Sequence, residues 1–166
     1  MRSQRFNLSK VGGEILSDVI YKIIPETYDY YPADVKSIDE AVQILKIYIK
    51  ADDITWTGLE NPAFIDCGSN FESVSCPFCE ESIDIDDWQE MMSLSYEKSQ
   101  FTDIDIMLPC CEKMSTLNKL KYQSDCGFAR FVIEVLNPEH PPCKHDLYEA
   151  SKCFGKISLR MIIATI

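Results

Sequence analysis

The chain has 166 residues, which is the size of one domain or of one domain with a small insert and excludes two large independent domains. Apolar residues make up 46% of it and aromatic residues 11%, a composition that can bury a core and is not that of a disordered chain. Sixteen Lys and Arg stand against 27 Asp and Glu, so the formal net charge is −11. Because phosphate backbones and anionic lipids attract basic surfaces, DNA, RNA and membranes are poor partners for this chain.

The N-terminal stretch carries Arg2, Arg5 and Lys10, but no run of about seven or more apolar residues follows these charges. This pattern is not that of a secretory signal. No stretch approaches the roughly 20 apolar residues that a membrane-spanning helix needs. We therefore expect a cytoplasmic protein.

The first half of the chain predicts a strand followed by a helix. Residues 17–24 are short, β-branched and aromatic, and they stop at Pro25, which indicates a strand. After a turn-rich stretch, Ser37 and Glu40 have the spacing of a capping box, and apolar residues then recur at helical spacing to about residue 50. We expect an amphipathic helix there.

The last third of the chain predicts a strand, a helix and another strand. Residues 127–136 are an apolar run that ends at an Asn-Pro pair, which indicates a strand. Asp146 and Glu149 have the spacing of a second capping box, before a helix that Gly155 closes. Residues 157–166 predict the final strand.

This order of strands and helices predicts an α+β fold. A split βαβ, or ferredoxin-like, sandwich would place helices on one face of a mainly antiparallel sheet. We expect residues 1–166 to be a single domain of this kind with an inserted, acidic, zinc-ribbon-like subdomain at residues 66–112. The charge pattern favours an insert, because residues 51–97 contain twelve Asp and Glu but neither Lys nor Arg, while the rest of the chain sums to +1.

The middle of the chain contains one predicted helix, at about residues 84–96. Asp84 and Asp86 lie near its N-terminus, where carboxylates interact favourably with the helix dipole. Four large apolar side chains fall on one side of this helix, namely Trp88, Met91, Met92 and Tyr96. We interpret them as the face that packs on a core, not as a ligand-binding stripe.

The eight cysteines indicate metal ligation or catalysis if the compartment is reducing. Two segments align position for position: Cys76-Pro-Phe-Cys79-Glu80 and Leu108-Pro-Cys110-Cys111-Glu112. A turn of this kind places its thiolates on one side of a tight loop, and two such turns that meet complete tetrahedral Zn–S coordination. We predict a structural zinc site with Cys76, Cys79 and Cys111 as ligands and Cys110, which adjoins Cys111, as the fourth.

Two other interpretations of these cysteines stay open. Cys76 and Cys79 have the spacing of a redox pair, although acidic neighbours such as Glu72 and Glu81 should raise the thiol pKa and disfavour attack by a thiolate. Alternatively, the site holds no metal, because Glu stands at positions 80 and 112, where such turns usually carry Gly.

Four cysteines lie outside the predicted site: Cys67, Cys126, Cys143 and Cys153. We expect Cys153, on the last predicted helix, to be a buried thiol that packs as a small apolar group. Cys143 lies between His140 and His145, and these three residues could form a second metal site. A Pro-rich loop that leads into a helix explains the same residues without a metal.

Several of these segments follow one another in a pattern that resembles a known family. The segments are FESVSCPFC at 71–79, LPCC at 108–111, STLN at 115–118, GFARF at 127–131 and the Asn-Pro pair at 137–138. In this order they are similar to the motifs of a family of small uncharacterised bacterial proteins with a CPxCG knuckle and an LPCCG partner. The resemblance covers roughly residues 64–166 and implies zinc binding and a bacterial origin, but no particular activity. The chain departs from the family pattern at both knuckle glycines and at residues 124–126, where the family usually has an aromatic residue followed by proline.

No catalytic motif accompanies these features. The sequence has no His-Glu-x-x-His motif, no glycine-rich phosphate loop and no Gly-x-Ser-x-Gly elbow. We therefore expect a non-catalytic protein whose acidic residues Asp84, Asp86, Asp87 and Glu90 bind a basic protein partner. In a bacterium this partner could be a nucleic-acid-directed toxin, and the chain would then be its immunity protein. The alternative function is a thiol-disulfide oxidoreductase that uses the cysteine pair Cys76 and Cys79.

Overall fold

A four-stranded antiparallel sheet forms the centre of the computed structural model, which describes residues 16–166. The strands and helices in chain order are β1 (Val19–Pro25), α1 (Lys36–Tyr48), β2 (Asp53–Ile65), β3 (Val74–Ser75), β4 (Ser82–Ile83), α2 (Ile85–Ser99), β5 (Asp105–Met107), β6 (Met114–Thr116), β7 (Lys121–Tyr122), β8 (Gly127–Leu136), α3 (Lys144–Ser151) and β9 (Leu159–Thr165). The predicted α+β class is confirmed. The prediction about Arg2, Arg5 and Lys10 concerns residues outside the described part of the chain.

The central sheet has the strand order β2-β8-β1-β9, and each strand is antiparallel to its neighbours. β8 pairs with β1 in the register Ile23↔Ile133 and with β2 in the register Ile54↔Val135. Most residues of β8 are buried, which agrees with its continuous apolar sequence. This strand therefore links the two halves of the sheet.

Helices α1 and α3 pack on the same face of the sheet. On α1 the buried residues Ile38, Val42 and Leu45 recur at helical spacing and belong to one cluster with Phe131 of β8. Phe131 is fully buried, and three rings surround it at centroid distances of 5.3 to 6.5 Å, namely Tyr30, Tyr31 and Phe154. The main core thus lies between these helices and β8.

Both capping boxes are predicted at the wrong residues. Ser37 lies inside α1, and the carboxylate of Asp34 accepts the N–H of Lys36 at 3.0 Å instead. In α3 the capping box starts three residues earlier than predicted, because the Cys143 thiol takes the capping position and Asp146 accepts the Cys143 N–H at 2.8 Å. A cap is set by the residue at which the backbone turns into the helix, and spacing alone does not reveal that residue.

β2 is the longest strand in the described part of the chain, but its sequence pattern does not predict a strand. Alternation along β2 is interrupted, because the register with β8 shifts between Gly58 and Ala63. Asn61 and Pro62 fall within this irregular stretch, and both residue types are depleted in strands. A local pattern with a bulge at its centre therefore does not resemble a strand.

The chain leaves the sheet after Ile65 and returns at Gly127, so that residues 66–126 form an insert in this fold. The predicted range of residues 66–112 contains both cysteine turns, and the pairing of β7 with β3 adds the following residues to the same unit. The insert has its own buried cluster, to which Phe128 of β8 also belongs: Val74, Cys76, Ile83, Ile104, Ile106, Leu108, Leu117 and Leu120.

α2 lies in the insert, as predicted, and its N-cap is Asp84, whose carboxylate accepts the N–H of Asp86 at 2.9 Å. Three of the four predicted core residues of α2 pack against the cluster of the insert, whereas Tyr96 is 55% exposed. Among the helices that the structure describes, none has both the length and the apolar surface needed to cross a bilayer.

Truncation of Phe131 tests the main core. We expect Phe131→Ala to lower the free energy of unfolding by about 3–5 kcal/mol, since it leaves a cavity among three aromatic rings. Urea denaturation followed by tryptophan fluorescence measures this change. The matched variant Phe131→Leu should cost less, and equal midpoints for the wild type and Phe131→Ala would contradict the packing described here.

Candidate metal centre

The two cysteine segments fold into turns with the same backbone hydrogen bonds. In the first turn, which joins β3 to β4, the Cys76 N–H donates to the Glu81 carbonyl at 2.9 Å, and the Glu80 N–H donates to the Cys76 carbonyl at 3.1 Å. In the second turn, which joins β5 to β6, Leu108 and Lys113 form the equivalent bond at 3.0 Å, and the Glu112 N–H donates to the Leu108 carbonyl at 2.9 Å. The alignment of the two segments in the sequence therefore corresponds to a repeated local structure.

Both turns contain a glutamate in the left-handed region, where glycine is usual. The φ angle is 64° at Glu80 and 56° at Glu112. A side chain in this conformation costs about 1–2 kcal/mol. The Glu80 side chain forms an ion pair with Lys121, and this hydrogen-bonded lysine lowers the pKa of the Glu80 carboxyl. The missing glycines thus do not prevent either turn from forming.

The four predicted ligands lie together. The sulfurs of Cys76, Cys79, Cys110 and Cys111 are all within 4.8 Å of one another. The distance is 3.8 Å from Cys76 to Cys111 and 3.5 Å from Cys79 to Cys110. Tetrahedral coordination with Zn–S bonds of about 2.3 Å places sulfurs about 3.8 Å apart. The spacing of these sulfurs fits a metal ion, and the four residues could hold one.

The fourth sulfur comes from a different position in the second turn. Leu108 occupies the place that Cys76 has in the first turn, and its side chain is fully buried in the cluster of the insert. Cys110 aligns with Phe78, and its thiol reaches the other three sulfurs. The adjacent residues Cys110 and Cys111 therefore both contribute to the site, although the repeat lacks one cysteine.

Backbone N–H groups point at the Cys76 sulfur. Desolvation of this buried thiol opposes its ionisation, but the N–H groups of Cys79 and Phe78 donate to it at 3.4 and 3.3 Å. Together with hydrogen bonds from the thiols of Cys79 and Cys110, they lower the pKa of Cys76 to about 6. The expectation that acidic neighbours would raise the pKa of Cys76 is therefore wrong, because short-range donors outweigh carboxylates in solvent.

The pKa of Cys110 is shifted in the opposite direction from that of Cys76. Burial, hydrogen bonds with the thiols of Cys79, Cys76 and Cys111, and the charge of Cys111 raise the pKa of Cys110 to about 12. Four sulfurs at this spacing repel each other when several are ionised, so the protons are lost unequally. Cys76 therefore loses its proton more readily than Cys110.

Two lysines that are distant in sequence lie close to the first turn. The Nζ atom of Lys113, in the second turn, lies 5.2 Å from the centre of the Phe78 ring, and Lys121 of β7 pairs with Glu80. No Lys or Arg lies within 20 residues of Cys76 along the chain. These contacts depend on the strand pairing of the insert, and for that reason the local sequence did not reveal them.

The predicted partner-binding residues, Asp84, Asp86, Asp87 and Glu90, are all exposed. They lie on the first turns of α2, which begins shortly after the first cysteine turn. Asp84 caps the helix, whereas the other three carboxylates make no ion pair among the described residues. These four carboxylates thus follow the first cysteine turn closely along the chain.

Within the described residues, His140, Cys143 and His145 do not form a metal-ligand group. The Cys143 thiol caps α3, and the His145 ring contacts Tyr48 at a centroid distance of 5.5 Å. Cys67 and Cys126, for which the sequence pattern predicts no role, are in contact, with sulfurs 3.3 Å apart.

Comparison of the chain with models of known protein families, with curated proteins and with solved structures found no match. The resemblance to the bacterial family with CPxCG and LPCCG motifs therefore rests on the sequence segments alone and stays a prediction.

We expect Cys110→Ser to weaken metal binding, because it removes one of four sulfur ligands. With zinc as the probe ion, the wild type should bind one ion per chain, and Cys110→Ser should lower the affinity by about 100-fold or more. Competition with a chromogenic chelator measures both values. Cys143→Ser is the control and should bind like the wild type; if Cys110→Ser does too, Cys110 is not a ligand.

Metal binding should release a pH-dependent number of protons. At pH 7.5 Cys76, with its pKa of about 6, has largely lost its proton, and Cys110, with its pKa of about 12, has kept it. Zinc binding at pH 7.5 should therefore release between one and three protons, and close to one more at pH 5. Calorimetry in buffers with different ionisation enthalpies measures the number. Release that does not change between these pH values would contradict the low pKa of Cys76.

Proposed function

We propose that Cys76, Cys79, Cys110 and Cys111 hold a structural zinc ion, and that the insert which this ion organises binds a basic protein partner. The observation that carries the proposal is the convergence of four sulfurs from two turns within 4.8 Å. An all-thiolate set favours a soft or borderline ion, and closed four-cysteine sites are usually structural zinc sites. When bound, zinc would supply cross-linking and charge neutralisation at this point.

A structural role follows from the position of the cluster. The insert has short strands of two or three residues and a small buried cluster. Such a small core stabilises a fold weakly, and small units often require a metal for that reason. Each of the two turns closes a short hairpin, β3-β4 and β5-β6, so an ion between them would join both hairpins. This arrangement supports a zinc-ribbon-like description of the insert.

The strand order supports the finer description of the main sheet as a split βαβ, ferredoxin-like sandwich. β8 lies between β1 and β2 and is antiparallel to both, so β1 and β2 run in the same direction. α1 connects these two strands across one face. We propose this topology, with the insert between β2 and β8.

The charge of the insert supports a basic partner. Residues 66–126 contain thirteen Asp and Glu and four Lys, which gives a formal charge of −9. Two of the four lysines, Lys98 and Lys121, already pair with carboxylates of the insert. Four thiolates on one divalent ion would add a further charge of about −2. A surface with this field attracts cationic proteins and increases their association rate.

The partner that we propose is a nucleic-acid-directed toxin. A protein that cleaves or modifies nucleic acid needs a cationic groove for its substrate, and an acidic surface on a rigid unit can cover such a groove. The chain would then act as an immunity protein that blocks the toxin by occupying its substrate site. No catalytic step of this chain is required for that role.

The alternative, a thiol-disulfide oxidoreductase that uses Cys76 and Cys79, has one observation in its favour. The pKa of Cys76 is lowered to about 6, as an attacking thiol requires. However, Cys76 is fully buried, which is unfavourable for attack on a protein disulfide. Metal content separates the two functions, since tightly held zinc with slow thiol alkylation supports the structural site and a metal-free, hyper-reactive thiol supports the enzyme.

Neutralisation of the acidic surface on α2 tests the partner proposal. The variant Asp86→Asn/Asp87→Asn/Glu90→Gln leaves the Asp84 cap in place. At low salt it should slow association with a basic nuclease toxin by about tenfold, because long-range attraction is reduced. Stopped-flow fluorescence at low and high salt, with purified basic nuclease domains encoded beside the gene, measures the rates.

The control variant is Glu26→Gln/Asp29→Asn/Glu40→Gln, which changes the net charge equally at exposed positions of the main domain. Its association rate should stay within about twofold of the wild type. An equal effect of both variants would show that only the net charge matters. If none of the tested nuclease domains binds the wild type, the toxin proposal is wrong.

A further inference from the structure

A second pair of cysteines lies where the insert joins the sheet. The pair Ile65 and Gly127 ends the ladder between β2 and β8, and Cys67 and Cys126 lie just beyond this pair on the side of the insert. Their sulfurs are 3.3 Å apart, and the Cys126 thiol donates to the Cys67 sulfur. We call these two cysteines and their immediate neighbours the neck of the insert.

The neck packs on the face of the sheet opposite to α1 and α3. Both thiols are buried, in a cluster with apolar residues from β1, β2, β8 and β9: Ile24, Ile65, Ala129, Val132 and Ile162. In the described part of the chain, no further Cys, His, Asp or Glu joins the pair to form a metal-ligand group. The pair is therefore separate from the candidate metal centre in both position and chemistry.

Charged side chains hold both strands of the neck to the sheet. The Lys22 ammonium of β1 donates to the Asp66 carbonyl at 2.9 Å, and the Arg160 guanidinium of β9 donates to the Cys126 carbonyl at 2.8 Å. The Asn70 side-chain amide and the Ser69 backbone N–H also donate hydrogen bonds to carbonyls of β9. These contacts fix the two cysteines on either side of a short gap, so their sulfurs remain close together.

We propose that Cys67 and Cys126 are an oxidation site, at which a hydroperoxide forms a disulfide that closes the neck. The sulfurs need to approach from 3.3 Å to the bond length of about 2.05 Å. Cys67 and Cys126 lie on adjacent antiparallel segments, so rotation of their two side chains would provide that movement. The proposal is independent of whether the other four cysteines hold zinc and of any protein partner.

The chemistry uses one hydroperoxide for each disulfide. Burial and the hydrogen bond to Cys67 raise the pKa of Cys126 to about 12. Because the Cys126 thiol donates its hydrogen bond to the Cys67 sulfur, we assign Cys67 as the sulfur that attacks. The Cys67 sulfur takes the outer oxygen of the peroxide and becomes a sulfenic acid, while the O–O bond breaks and hydrogen peroxide is reduced to water. The Cys126 sulfur then displaces hydroxide from Cys67, its proton converts this hydroxide to water, and the S–S bond forms.

The disulfide would connect residues 59 positions apart and enclose all four candidate metal ligands. Closing such a loop restricts the unfolded chain and prevents the insert from separating from the sheet. Both cysteines are buried, so the bond would lie beneath the protein surface. Oxidation would therefore stabilise the attachment of the insert without a change in its surface.

Peptide mapping of the full-length protein after hydrogen peroxide treatment tests this proposal, with and without added zinc. We expect a non-reduced peptide that links Cys67 to Cys126, with the loss of two hydrogen atoms. The midpoint of thermal unfolding should rise by about 5–10 °C and return to its original value with a thiol reductant. Cys67→Ala and Cys126→Ala should each abolish the link and the rise, whereas Cys143→Ser should keep both.

Recovery of both cysteines as alkylated thiols after peroxide treatment of the folded wild type would overturn the proposal. A link confined to Cys79 and Cys110 would overturn it too, and would in addition argue against a closed zinc site. Because this mapping uses the wild type, it decides the question even if the alanine variants do not fold.

Discussion

The insert depends on one constraint, which is that four sulfurs from two separate turns meet at one point. Each turn is fixed by its own backbone hydrogen bonds, and the buried cluster contains residues from both hairpins, which packs the two hairpins together. The N–H groups that point at Cys76 favour a negative sulfur even before a cation is present. The fold therefore prepares both the spacing and the charge that a thiophilic ion requires.

The convergence of the four sulfurs also bears on the acidic residues of the insert. Exposed carboxylates on a loosely structured loop would mainly increase solubility. Here the first turns of α2 follow directly after β4, so their orientation is tied to the first cysteine turn. A fixed array of charges can discriminate between partners, because like charges in the wrong register repel. We therefore propose that the rigid cysteine cluster and the partner specificity of the carboxylates on α2 belong together.

Short-range patterns were predictable, and contacts set by the sheet were not. The strand at 127–136, the helix capped by Asp84 and the paired cysteine turns all follow from residues that are close in sequence. β2 was missed because its bulge interrupts the alternation of side chains. The contact of Cys67 with Cys126 and the ion pair of Lys121 with Glu80 depend on strand pairing over 59 and 41 residues, which no local pattern encodes.

The pairing of Ile65 with Gly127 has a consequence for the dissection of this chain. Since the chain leaves the sheet and re-enters it at paired backbone positions, a tight reverse turn in place of residues 66–126 would keep the β2-β8 ladder as a plain hairpin. The same deletion would expose Phe128, which is buried in the cluster of the insert. The sheet and the insert are therefore separable in chain connectivity but not in packing.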